Sequence, residues 1–211
     1  MLLDADDCQL VLVDYQARLL PALHQGAEAV ANAVRLAKTA RLLSVPVWGT
    51  EQTPAKLGEN MPELRELCQR TLAKTHFSAA GEGLIEWLHG APAAQLPKPM
   101  AATRGNARSL PRHARRAPEP ELLQDERTSI VIAGCEAHVC LLQTALELLE
   151  AEFDVWVVTD ACASRTERNR DAAFDRLVGA GCELVTTEMV GFEWLRASTH
   201  PAFREWQGLI R

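Results

Sequence analysis

The chain contains no apolar run approaching the roughly 18 residues a membrane-spanning helix needs, and its opening "MLLDADDCQLVLVD" puts acids where a signal peptide carries positive charge. Both features point to a cytoplasmic protein without a membrane partner. There is no GxGxxG and no GxxxxGK[ST], so no phosphate-cradling loop is expected. None of the six histidines pairs with another ligand at metal-binding spacing, and neither a metal nor a cofactor is expected. The six cysteines, at 8, 68, 135, 140, 162 and 182, include no CxxC pair. Their scatter argues against a disulfide framework and for small buried hydrophobes. Basic residues are in the minority: 22 Lys plus Arg stand against 28 Asp plus Glu, a net charge of −6. That balance favours solubility and argues against nucleic acid as the main partner.

What is present fits one α/β domain with a substantial core: 211 residues, 47% hydrophobic and 24% charged. Continuous apolar runs suited to strands buried on both faces occur at "CQLVLVD" (8–14), "SVPVWGT" (44–50), "TSIVIAG" (128–134), "FDVWVVTD" (153–160) and "GCELVTT" (181–187). "RTLAK" (70–74) is a weaker strand. Helical spacing lies between them: Val30, Val34, Ala37 and Arg41 over 27–43, Leu141, Ala145 and Leu148 over 138–151, and Ala173, Phe174 and Leu177 over 167–180. A short helix is expected at 81–90 and another after the sixth strand, at "EMVGFEWL". Strands alternating with helices imply βαβ units, a parallel sheet and right-handed crossovers.

Residues 91–127 stand apart. They hold six of the eleven prolines, and between 91 and 118 there are six basic residues and no acid. The segment reads as a long solvated loop, with a lid or an arm that docks on a second subunit as the alternative. It lacks the interleaved aromatics of a single-strand nucleic-acid platform.

In an open parallel sheet, ligands bind beyond the carboxyl ends of the strands. The residues at those ends are Asp14, Lys74, Cys140 and Asp160. Cys140 should lie in the first turn of a helix, where unpaired N–H groups and the dipole favour a thiolate. A nearby lysine would lower the thiol pKa further, whereas a nearby aspartate would raise it but could accept the proton. Cys135, at the buried strand end, has none of these advantages. His138 precedes Cys140 by two residues, so on a helix the two side chains diverge by roughly 200° and do not form a dyad. His76 shares a strand face with Lys74 and could reach the pocket. Asp160 is expected to cap a turn or helix.

At this point the sequence resembles the isochorismatase-like cysteine hydrolases, a family that includes nicotinamidases and N-carbamoylsarcosine amidohydrolases. The matching pieces are "LVLVDYQ" (10–16), "TEQTPAKLG" (50–58), "KTHFSA" (74–79), "AGCEAHVCLLQTALELLEAEFDVWVVTDACASRTERNRDAAFDRL" (133–177) and "TTEMVGFEWL" (186–195). They cover nearly the whole chain except about 91–127, which looks like an insertion in a single domain spanning 1–211. The resemblance is closest to the metal-free isochorismatase-domain branch. It implies a three-layer α/β/α fold whose six-stranded parallel sheet has the order 3-2-1-4-5-6, and a catalytic triad of Asp14, Lys74 and Cys140. It also implies a cis bond between Cys135 and Glu136, with the N–H groups of Glu136 and Cys140 aimed at an oxyanion. Gln16, Gln52 and His76 are then expected to line the substrate pocket.

Nicotinamidases carry an Asp-x-His metal motif after the second strand. This chain has "TEQTP" there, which points away from a metal and from nicotinamide. True isochorismatases act on a vinyl ether and lack the nucleophilic cysteine. The expectation is therefore a hydrolase of a small-molecule amide-type C–N bond, acting through a thioester and assembled as a homodimer or larger oligomer. The alternative is a non-catalytic oligomeric binding module that retains the fold, or, less simply, a thiol redox sensor with Cys135 resolving Cys140.

Overall fold

The computed structural model describes residues 1–90 and 127–210. The expected insertion at about 91–127 lies, apart from Arg127, outside the described residues. Six strands form one sheet: β1 (Cys8–Val13), β2 (Val47–Gln52), β3 (Arg70–Lys74), β4 (Ser129–Gly134), β5 (Asp154–Val158) and β6 (Glu183–Val185). Every neighbouring pair is parallel and the order is β3-β2-β1-β4-β5-β6, as expected. All six residues of β1 and of β4 are buried, which is why these segments read as unbroken apolar runs. Each fully buried Leu, Ile or Val there contributes about 1.5–3 kcal/mol of transfer free energy.

The main helices are α1 (Gly26–Leu42), α5 (Leu142–Glu150), α6 (Glu167–Ala180) and α7 (Thr187–Leu195); short turns α2 (Pro54–Leu57), α3 (Pro62–Arg65), α4 (Leu84–Leu88) and α8 (Phe203–Gln207) were not all foreseen. α1 packs with α3 and α7, and α5 packs with α6. The strand order reverses at β1, so right-handed crossovers place these two groups on opposite faces. Local chemistry sets the ends. Thr166 and Thr186 cap α6 and α7 by accepting hydrogen bonds from the N–H groups of Asn169 and Met189, and Gly181 closes α6 in the left-handed region.

Several boundaries differ from expectation, the sixth strand among them, which covers Glu183–Val185 rather than 181–187. The second strand begins at Val47 rather than 44, because Ser44 (φ 60°) completes the helix-to-strand turn and the N–H of Val45 still donates to Ala40. The fifth strand stops at Val158, and residues Thr159–Ala161 form a 3-10 turn. Asp160 in that turn accepts from the N–H and hydroxyl of Thr187 (2.9 and 3.0 Å), anchoring the start of α7, which is the structural role expected of it.

β1 and β4 approach closely at their carboxyl ends. A Cβ added to Gly134 would lie 2.4 Å from the carbonyl oxygen of Val13 and 2.5 Å from its Cβ. Gly134→Ala is therefore expected to destabilise the fold by about 1–3 kcal/mol through overpacking. A urea midpoint equal to that of the natural chain would contradict this.

Candidate active site

The site forms where β1 gives way to its neighbours. Val13 is in register with Thr50 on one side and Gly134 on the other, and Gln52 is in register with Lys74. This is the point where the strand order reverses, the place at which open parallel sheets bind their ligands. Asp14 leaves β1 with φ 54°, a left-handed conformation that aspartate tolerates, and its carboxylate is fully buried. Thr50 donates its hydroxyl to Asp14 Oδ1 (2.6 Å).

Lys74 Nζ donates to Asp14 Oδ2 (2.8 Å), Gln52 Oε1 (2.7 Å) and the carbonyl of Phe77 (2.9 Å), with a longer contact to the carbonyl of His76 (3.3 Å). An ammonium has three protons, so these acceptors saturate it. The ion pair is completely buried, a position that charges hold only when paired and hydrogen-bonded. The segment after β3 is tied to α5 through Ser78, whose hydroxyl donates to Glu147 (2.7 Å), and through the N–H of Ala79, which donates to Thr144 (3.1 Å).

Cys140 completes the group. It lies in a single π-helical turn, Ala137–Leu141, rather than in the first turn of an α-helix, and α5 follows directly. Such turns are frequent at functional sites. The preceding Cys135–Glu136 peptide bond is cis. The charges of Asp14 and Lys74 both act on the thiol, and Cys140 is 6% exposed. Asp14, Lys74 and Cys140 thus converge on one point.

The ionisation state corrects the expectation. Burial, followed by the charge of Asp14, pushes the Cys140 thiol up to about 12, and the opposing pull of Lys74 does not restore it. That shift favours the neutral thiol over a resting thiolate at pH 7, with desolvation as its largest cause. The other cysteines are raised too. Burial lifts Cys8, Cys68 and Cys182 to about 11 and Cys162 to about 12, and Cys135 goes well above its ordinary value.

The three residues expected to line the pocket separate. Gln52 stands at the site, holding Lys74 through Oε1 while its amide nitrogen donates to the carbonyl of Thr75 (2.7 Å). Gln16 is fully buried, and its amide is spent on the N–H and carbonyl of Gln52 and the carbonyl of Gly58. It braces the β1 and β2 loops and presents nothing to a ligand. The His76 ring is 81% exposed and hydrogen-bonded to Glu82, so only its carbonyl belongs to the site. Glu82 also accepts the N–H groups of His76 (2.6 Å) and Thr75 (3.0 Å), which hold its carboxyl down at about 2. His138 turns away to Ser164 and Asn169, as its spacing from Cys140 requires.

Thr50 and Arg165, which grips Glu136 (2.9 Å), escaped the sequence reading. Thr50 could have been found from its place at the end of β2 beside Val13; Arg165 could not, since nothing local points it at Glu136. Among the described residues, no group of three or more His, Cys, Asp or Glu is placed to hold a metal ion. No helix there is long and apolar enough to cross a membrane. A cavity of about 870 Å3 is lined by Leu20, Val30, Val34, Met61 and Leu209 but by none of Asp14, Lys74 or Cys140. It is distinct from the place where those three residues meet.

A six-stranded parallel sheet of this order is the architecture of the isochorismatase-like hydrolases. The chain belongs to the Isochorismatase domain family, whose model matches residues 8–96 and 120–189. It is 32% identical over 202 residues to isochorismatase domain-containing protein 2A of Mus musculus, covering 96% of this chain and 82% of that one. Among solved structures, MAR1 ribonuclease from Caenorhabditis elegans is 28% identical with a TM-score of 0.79, covering 100% of this chain and 92% of that one. The YcaC product of Escherichia coli, described as an octameric hydrolase of unknown specificity, shares the fold: TM-score 0.75 at 23% identity, with 100% and 95% covered.

Lys74→Met should cost about 3–5 kcal/mol, because it strands a buried carboxylate. Asp14→Asn in the same chain should recover part of that loss. Two additive losses in a urea-denaturation cycle would show that the pair is not coupled.

A second expectation concerns alkaline pH. Folded thiol pKa values of about 11 to 12 exceed the ordinary 9.0, so the native state keeps protons that the unfolded chain releases. The thiols' contribution to stability is intact below pH 9 and lost as pH rises through the folded values. Urea midpoints should fall from pH 8 to 10.5, and Cys182→Ala should flatten the fall. An unchanged slope in that variant would remove Cys182 from the account.

Proposed function

We propose that this protein is a cysteine-dependent hydrolase that cleaves an amide-type C–N bond in a small molecule through a thioester intermediate. The observation that carries the reading is the fully buried Asp14–Lys74 ion pair brought up beside the Cys140 sulfur.

A neutral thiol is a weak nucleophile and needs a base as it attacks. Asp14 accepts the thiol proton while the sulfur bonds to the substrate carbonyl carbon, and Lys74 balances the charge. The N–H groups of Glu136 and Cys140 take the oxyanion of the tetrahedral intermediate. As the C–N bond breaks, Asp14 returns the proton to the leaving amine. Water then attacks the thioester carbonyl and gives a proton to Asp14, the C–S bond breaks, the departing sulfur takes that proton back from Asp14, and the acid product departs. In this reading Gln52 and Thr50 are positioning residues for Lys74 and Asp14. The 6% exposure of Cys140 favours a small substrate over a polymer. The reading places the protein in the cytoplasm as a homodimer or larger assembly, with no metal, nucleic acid or membrane taking part.

A second reading comes from the relative named as a ribonuclease, which would make RNA the substrate. The net charge of −6 and the near-closed sulfur weigh against it.

The test is a screen of small amides and of RNA, followed by mass spectrometry of the enzyme. A covalent adduct on Cys140 from an amide is expected. Cys140→Ala should abolish turnover, and Asp14→Asn should slow it by about 10²–10⁴-fold although it removes a charge that raises the thiol pKa. Wild-type turnover by the alanine variant would end the proposal, and hydrolysis of RNA alone would replace it with the second reading.

A further inference from the structure

Beside Cys140 lies a charged cluster to which the mechanism above assigns no role. The Glu136 carboxylate is only 6% exposed and accepts from Arg165 Nε at both oxygens, at 2.9 and 3.2 Å. His138 Nε2 faces it at 3.5 Å. His138 is in turn held by Ser164 Oγ at Nδ1 (3.0 Å) and by Asn169 Nδ2 at Nε2 (3.3 Å).

The partners come from one place. Ser164 and Arg165 follow Ala163, whose N–H donates to Gly134 (3.3 Å) and whose carbonyl accepts from the N–H of Ala137 (2.9 Å). Asn169 lies in the first turn of α6. The chain beyond β5 therefore grips the segment 134–138, immediately before the nucleophile, by main chain and side chain together. Arg165 is unusual among these groups. Its side chain is 66% exposed, yet its inner nitrogen is spent on a buried carboxylate and its outer nitrogens hydrogen-bond to no other described residue.

Oxyanion stabilisation depends on donors lying within about 2.7–3.1 Å of the developing charge. The Glu136 N–H belongs to the same residue as the carboxylate that Arg165 clamps. Loss of the guanidinium would leave that carboxylate buried beside His138 alone, and the residue would move to reach water. We propose that Arg165 is a positioning residue for acyl transfer: by clamping the Glu136 carboxylate it holds the Glu136 N–H on the oxyanion. This rests on the cysteine-hydrolase reading and adds a residue that acts through Glu136 alone.

Two reactions of the same sulfur separate the role from general packing. With p-nitrophenyl acetate the sulfur bonds to the carbonyl carbon, an oxyanion forms, p-nitrophenolate leaves and the thiol proton goes to Asp14. With iodoacetamide the sulfur bonds to a saturated carbon and iodide leaves; no oxyanion forms. Rates of both would be followed at Cys140 by peptide mass spectrometry in the whole protein. Arg165→Ala should slow acylation about tenfold or more while leaving alkylation within about twofold. Arg165→Lys should restore part of the acylation rate. Glu136→Gln with Arg165→Ala should acylate no more slowly than Arg165→Ala alone, because both changes act on one contact. Equal slowing of both reactions, or no change in either, would overturn the positioning role. Release of p-nitrophenolate by Cys140→Ala as fast as by the natural chain would instead overturn the hydrolase reading itself, whatever Arg165 does.

Discussion

The structure turns on a buried ion pair between Asp14 and Lys74. Two fully buried charges sit at the carboxyl ends of β1 and β3, and β2 lies between those strands. Removing charges from water costs several kcal/mol each, so the pair survives only with its hydrogen bonds complete. Completing them recruits Thr50 and Gln52 from β2 and the carbonyls of His76 and Phe77 from the loop after β3. The loop conformations at the sheet's edge thus follow from satisfying one ammonium and one carboxylate.

That pair also decides the character of Cys140. A sulfur placed against an isolated lysine would ionise easily. Here the lysine's charge is already matched by Asp14, and the carboxylate and burial both favour the protonated form. The outcome is a thiol pushed toward its neutral form beside a buried ion pair. Such a site also protects the sulfur from adventitious oxidation, which follows thiolate character and exposure. On the other side of Cys140, Glu136 and Arg165 repeat the pattern on a smaller scale: a buried acid held by a cation that remains half in solvent.

Much of the fold was legible because parallel strands buried on both faces must be continuously apolar. "CQLVLV" and "SIVIAG" could hardly be anything else once helical spacing appeared between such runs. β3, with exposed and half-buried positions in "RTLAK", was weaker for the reason that it lies at the edge. The meeting of Asp14, Lys74 and Cys140 was legible from their places at strand ends together with the family motifs around them. The roles of Gln16 and His76 were not. Whether an amide or an imidazole faces a ligand or a loop depends on which backbone groups happen to be unpaired beside it, and neither strand position nor residue type carries that information.

The sequence by itself determined the layering, the strand alternation and which residues reach the carboxyl edge, because period and burial are properties of short segments. Only the tertiary structure decided the protonation of Cys140, the saturation of Lys74 and the clamp of Arg165 on Glu136. Each of these depends on desolvation and on charges brought together from positions separated by 29 to 126 residues, and an electrostatic environment of that kind exists only after the chain has closed around it.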